Sequence, residues 1–246
     1  MISVCMATYN GEQFIKEQLD SILCQLSEDD EIIISDDGSS DKTLEIIDSY
    51  NDRRIKVYHH EKDKSLLKIN KLRNFYYTTQ NFENALKNAK GDYIFLADQD
   101  DVWHPKRKEL VLECLKQNNL VMCNYSIIDT NGMIVEEKFY KHNPISKNRL
   151  INVLKSKYLG CCMAFSKSVL EKSLPFPKKL LAHDYWIGCL SKSCFFLDTP
   201  LHLYRRHGTN VSSSSGKSTN SILTKIMYRF MFVIKLYDRL LKIWSR

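Results

Sequence analysis

The chain has 246 residues, 43% of them hydrophobic and 26% charged. That balance excludes a disordered protein and fits one large domain with an appendage. Thirty-six basic against 29 acidic side chains give a net charge of +7, which admits nucleic acid, an anionic membrane or an anionic substrate as partner.

The start, Met1-Ile2-Ser3-Val4-Cys5, does not read as a signal peptide, and no apolar run approaches the ~20 residues that span a bilayer. Eight cysteines without paired C-x-x-C spacing argue against a structural zinc site and read as small core residues in a reducing cytoplasm.

Residues 2–7 read as a strand closed by Thr8-Tyr9-Asn10-Gly11, and Phe14, Ile15, Leu19, Ile22, Leu23 and Leu26 recur at helical spacing. A second strand at 31–35 ends in Asp36-Asp37-Gly38-Ser39-Ser40-Asp41. Ser40 or Asp41 is placed to cap a helix carrying Leu44, Ile46 and Ile47, and 55–58 reads as a third strand. Residues 61–80 are polar, basic and aromatic and receive no assignment. A helix at 81–89, a strand at 93–97, a helix at 105–117 and a strand at 120–125 follow. The alternation predicts an α/β protein, a mainly parallel sheet with flanking helices.

The second half is less regular. Strands are expected at 157–165, 194–197 and 201–204, and a helix through 185–190. A Ser- and Gly-rich linker spans 208–219, and 222–244 forms a long amphipathic helix.

Three polar clusters follow directly on predicted strands: Thr8-Tyr9-Asn10, Asp36-Asp37 and Asp98-Gln99-Asp100-Asp101. Ligands of open α/β sheets bind outside the carboxyl ends of strands, so the clusters are expected at one edge. Three carboxylates within four residues repel one another, and a hard divalent cation such as Mg²⁺ or Mn²⁺ offsets that repulsion. An acidic turn that caps the helix at Pro105 is the plainer alternative. Adjacent carboxylates at Asp36-Asp37 can accept hydrogen bonds from a base N–H or a ribose hydroxyl. Further on lie His183-Asp184-Tyr185-Trp186 and Tyr204-Arg205-Arg206-His207-Gly208, none of which persuades alone.

In this order the segments SVCMATYNG, ISDDGSSDKT, NFENALKNAKGDYIFLADQDDVWHP, YLGCCMAFSK, AHDYW and PLHLYRRHGTNVS resemble family 2 glycosyltransferases of the GT-A fold, most closely the bacterial rhamnosyltransferase-like branch. The resemblance covers residues 1 to about 212, with a longer stretch than usual around 64–80.

It implies a Rossmann-like GT-A domain over 1–212, with a nucleotide-sugar-binding half at 1–125 and an acceptor and catalytic-base half at 126–212. Residues 213–246 form the linker and basic helix. By the same resemblance Thr8, Tyr9, Asn10, Asp36 and Asp37 would hold base and ribose, and Asp98 would sit near ribose or diphosphate. Asp100 would bind Mn²⁺ or Mg²⁺, His207 would reach the metal or diphosphate, and Arg206 would support the leaving phosphates. Asp184 would be the catalytic base. The reaction expected is inverting transfer from dTDP-rhamnose or a UDP-hexose to a saccharide hydroxyl, with a lipid-linked acceptor in bacterial surface polysaccharide synthesis.

The alternatives are a non-catalytic nucleotide-sugar-binding relative and a basic nucleic-acid- or membrane-binding module. A nucleotidyltransferase would need a Gly-rich loop, and the first turn offers only Gly11. Charge location separates the rest. Residues 217–246 carry seven basic side chains and one acidic, leaving 29 basic and 28 acidic before them. The domain is nearly neutral, which disfavours nucleic acid. The basic terminal helix reads as lying on the inner face of the cell membrane, the alternatives being a homodimer contact or packing on the enzyme's own core.

Overall fold

The computed structural model describes residues 1–62, 72–146, 149–155, 157–208 and 222–245. The early apolar runs form strands β1 (Ile2–Thr8), β2 (Glu31–Asp36), β3 (Ile55–His59) and β4 (Tyr93–Asp98), all paired in parallel in the order β3-β2-β1-β4. Helices α1 (Ile15–Leu23), α2 (Thr43–Ser49) and α3 (Arg73–Asn88) connect them. Strands β1 and β2 are buried almost throughout, because helices cover both faces of a parallel sheet and leave no solvent side for polar residues to occupy.

Beyond β4 the chain runs through β5 (Val102–Trp103), α4 (Arg107–Leu115), β6 (Leu120–Ile128) and β7 (Ile134–Glu136). Then come α5 (Arg149–Lys155), a 3-10 turn at Gly160–Cys162, β8 (Met163–Ser166), α6 (Lys167–Ser173), α7 (His183–Leu190) and β9 (Cys194–Arg205). One sheet of order β3-β2-β1-β4-β8-β6-β9-β5 results, with β7 on β6. The parallel pairings, including β6–β9, are the long ones; β8, β5 and β7 add antiparallel pairs of two or three residues each. The predicted mixed, mainly parallel α/β architecture is the one observed.

Several boundaries differ from the sequence reading. Helix α3 begins at Arg73, eight residues before the expected start, because its first two turns are polar and aromatic and carry little apolar periodicity. The strands expected at 194–197 and 201–204 are one strand, β9. Its register against β6 shifts around Asn124, and Pro200, which cannot donate to the ladder, sits in that irregularity. The strand expected at 157–165 is a loop, a 3-10 turn and the short β8. The stretch 63–71 and the linker 209–221 lie outside the described residues.

All eight cysteines are free thiols, and Cys5, Cys123, Cys161, Cys162 and Cys189 are buried, as expected of small core residues. The terminal helix forms α8 (Ile222–Trp244). Its Phe232 and Leu236 are buried, and Phe232 stacks on Tyr185 of α7 at 4.1 Å and meets Trp186 edge-on at 5.9 Å. Arg239 donates to the carbonyls of Lys172, Leu174 and Pro175. One face of α8 therefore packs on the domain. None of the described helices is long and apolar enough to cross a membrane.

Candidate active site

The parallel strands β1, β2 and β4 run in register, so their carboxyl ends arrive at one edge: Thr8 pairs with Asp36, and Ala7 with Asp98. The three polar clusters of the sequence are thereby assembled. Tyr9 N donates to Gln99 Oε1 at 2.8 Å while Gln99 Nε2 donates to Tyr9 O at 3.1 Å, which locks the first cluster to the third.

Within the first two clusters the residues divide between building the loop and facing outward. Asp36 is fully buried, and its carboxylate accepts from Thr8 Oγ1, Gly38 N, Ser39 N and Ser39 Oγ at 2.6–2.9 Å. It is the organiser of its own turn, not an open carboxylate. Gly38 at φ +80° supplies the left-handed backbone that this wrap requires. Asn10, itself at φ 48°, accepts from Ser40 N and ties the first turn to the second. Asp37 meets His60 Nδ1 at 2.6 Å. Tyr9 is exposed, with Lys62 Nζ 3.2 Å from its ring centroid. Burial lowers the Lys62 pKa, a shift opposed by the charges of Asp37 and Asp36.

The acidic run after β4 divides in the same way. Asp101 is buried and accepts from His202 Nε2 at 2.7 Å and from Arg205 N at 2.8 Å, both on β9. The other His202 nitrogen faces the Arg107 guanidinium, which also donates to Cys161 O. Burial and Arg107 hold His202 far below its ordinary pKa, so the neutral ring donates Nε2–H to Asp101. Asp100 lies 2.7 Å from His207 Nε2, which brings the two expected metal ligands together. Burial, followed by the charges of Asp101, Asp100 and Asp184, pushes Asp98 well above the usual carboxylate range. The charge of Asp184 is thus felt at Asp98 from 86 residues away.

Asp184 sits in the first turn of α7 with its carboxylate accepting from Tyr185 N at 2.7 Å. Gly160 passes so close that a methyl there would lie 3.1 Å from His183 Nε2 and 3.4 Å from Asp184 Cβ. Beside it, His183 stacks on Phe82 at 4.1 Å. Tyr185 and Trp186 face α8 and α6, not the carboxylate. Arg206 follows β9, its N–H bonded to Ile128 O.

Arg205 went unassigned in the sequence and proves central. It is buried, and its guanidinium meets the Asp100, Asp129 and Thr130 carbonyls, the Glu17 carboxylate and the Phe14 ring. Lys62, His60 and Gln99 were also missed. Strand-end position was the available signal for Lys62 and His60, which follow β3.

The profile described as "Glycosyl transferase family 2" matches residues 3–174. The chain belongs to glycosyl transferase family 2. A relative in Escherichia coli, named UDP-Glc:alpha-D-GlcNAc-diphosphoundecaprenol beta-1,3-glucosyltransferase WfgD, is 29% identical over 88% of this chain and 81% of its own length. The dTDP-rhamnosyl transferase RfbG of Shigella flexneri is 28% identical over 83% of this chain and 72% of its own length.

Among solved structures, S. aureus TarS 1-349 in complex with UDP-GlcNAc superposes with a TM-score of 0.68 at 19% identity, over 95% of this chain and 66% of that one. A Pyrobaculum calidifontis mannosyltransferase in complex with GDP-Man and Mn²⁺ gives 0.54 at 17% identity, over 98% of this chain and 64% of that one. These likenesses establish the GT-A fold, and the chain spans about two thirds of those neighbours' length. Members of the fold use divalent metal, and the residues here fit one. Asp100 is a hard oxygen donor with the His207 imidazole 2.7 Å away, while the Asp98 carboxylate clusters with Asp101 and Cys161, and a cation would relieve the repulsion among these carboxylates.

Proposed function

We propose that this family 2 enzyme transfers a sugar, with inversion, from dTDP-rhamnose or a UDP-hexose to a hydroxyl of a saccharide acceptor. The observation that carries the reading is the approach of α7 to the end of β4: Asp184 Cβ and the Leu96 side chain, two residues before Asp98, border the same space above Gly160. Donor chemistry and a general base are thereby available at one place.

In this reading Tyr9, Asn10 and Asp37 border the nucleoside, and the Asp37 carboxylate is an acceptor for the ring N–H of a uracil or thymine. Asp98, Asp100 and His207 would hold Mn²⁺ or Mg²⁺, which when bound neutralises the diphosphate and makes it a better leaving group. Arg206 supports the same phosphates. Asp184 takes the proton of the acceptor hydroxyl from within roughly 3 Å. The acceptor oxygen bonds to the anomeric carbon as the bond to the diphosphate oxygen breaks, and the electron pair leaves with the diphosphate. One base and a single displacement give inversion.

The acceptor is proposed to be lipid-linked and the enzyme to work at the inner face of the membrane, in surface polysaccharide synthesis. The name of the similar E. coli enzyme, which specifies a diphosphoundecaprenol-linked acceptor, supports this. Asp184→Asn is expected to lower transfer by ~10²–10⁴-fold while donor binding, read by calorimetry, stays within a few-fold of wild type. Near wild-type turnover in that variant would refute Asp184 as base.

A further inference from the structure

The terminal helix α8 has two apolar faces, and among the described residues only one is used by the domain. Phe232 and Leu236 are buried, and Leu240 and Ile243 pack beside them. Met227, Phe230, Met231, Ile234, Tyr237 and Leu241 recur at spacings of three and four and therefore share the opposite side of the helix. All six are exposed, Phe230 at 65% and Tyr237 at 64%. A contiguous exposed stripe of large apolar side chains marks an interaction surface.

Charge decides the partner. Residues 217–246 carry seven basic side chains against one acidic, while the rest of the chain is nearly neutral. Arg229 is exposed on α8 itself, Lys242 is exposed and pairs with Asp238 at 2.7 Å, and exposed Lys178 and Lys179 lie against the helix, their carbonyls accepting from Lys235 Nζ. A second copy would bring the same cationic border against itself. An anionic surface complements it. The helix is too polar to span a bilayer. An amphipathic helix with a basic border instead lies in the interfacial plane.

We infer that α8 docks flat on an anionic lipid bilayer through the Met227–Phe230–Met231–Ile234–Tyr237–Leu241 stripe. Its inner face keeps hold of α7, the helix of Asp184, through the Phe232–Tyr185 stack. The bilayer thus fixes the height of Asp184 above the headgroups. That consequence rests on the glycosyl-transfer reading; the docking does not.

The test uses the full chain, without donor or acceptor, sedimented with vesicles of phosphatidylcholine and of an equal phosphatidylcholine–phosphatidylglycerol mixture. Wild type is expected to prefer the anionic vesicles by ~10-fold or more at low salt. The double variant Phe230→Glu, Ile234→Glu is expected to lose ~10-fold or more of that binding, with helix content and melting temperature unchanged. Equal partitioning of wild type and variant overturns the inference, as does failure of wild type to bind either vesicle. So does a wild-type dimer in sedimentation velocity that dissociates in the variant, since a second copy would then own the stripe. Transfer to a soluble acceptor by the same variant reports separately on the catalytic reading, with wild-type rates expected.

Discussion

The acidic turns after β2 and after β4 look alike in sequence, and each sets one aspartate aside for structure. After β2 that residue is Asp36, whose partners all lie on the carboxyl ends of β1 and β2 and the turn that follows β2. After β4 it is Asp101, whose partners His202 and Arg205 are more than a hundred residues away on β9. The first turn closes on its immediate surroundings, whereas the second ties the end of β4 to β9. Neighbouring carboxylates in one motif therefore need not share a task. Burial and partner count separate them where spacing does not.

The widest separation between the turns is expected in stability. Asp101→Ala leaves two fully buried donors, His202 Nε2–H and Arg205 N–H, without their acceptor and should cost ~3–5 kcal/mol in denaturant unfolding. Asp36→Ala strands four donors, but three of them belong to Gly38 and Ser39, which water can reach, and it should cost ~1–3 kcal/mol. A larger loss for Asp36 than for Asp101 would break the comparison.

Asp100→Ala touches neither set of hydrogen bonds. It should change metal-free stability by less than ~1 kcal/mol and yet abolish the upward melting shift produced by Mn²⁺ or Mg²⁺.

The smallest effect is a pH dependence. Asp98 is held above its ordinary pKa, so the folded state favours its protonated form. Its contribution is present below the unfolded value near 3.9 and is lost as pH rises through the folded one. In chelator, Asp98→Asn should gain on wild type as pH climbs above the ordinary carboxylate range. A constant difference as pH rises would remove Asp98 from the crowded cluster.

Much of this was legible because the physics was local. The runs around Val4, Ile33 and Phe95 are short, apolar and bounded by turn residues, and in a parallel sheet that is enough to place them and their strand-end polar groups at one edge. The elements not anticipated had no such signal. Strands β5 and β7 are two and three residues long and exist only through β9 and β6. Helix α6 begins with lysine and serine and is fixed by packing against α7 and β8. In the site, Thr8, Asp100, Asp184 and His207 were reached through the order of the motifs and the family resemblance that order carries. The assignment of Asp36 to its own loop, and of Arg205 to four chain segments, depends on three-dimensional neighbours that no spacing encodes.

Arg205 has a further consequence. Its guanidinium joins the Asp100 carbonyl to α1 through Glu17 and to the β6–β7 turn through Asp129 and Thr130. The loop that presents Asp98 and Asp100 is thus held before any ligand arrives. Little conformational entropy remains there to be lost on binding, so in the proposed reaction the donor would meet a rigid template and the ordering cost would fall mainly on the ligand itself.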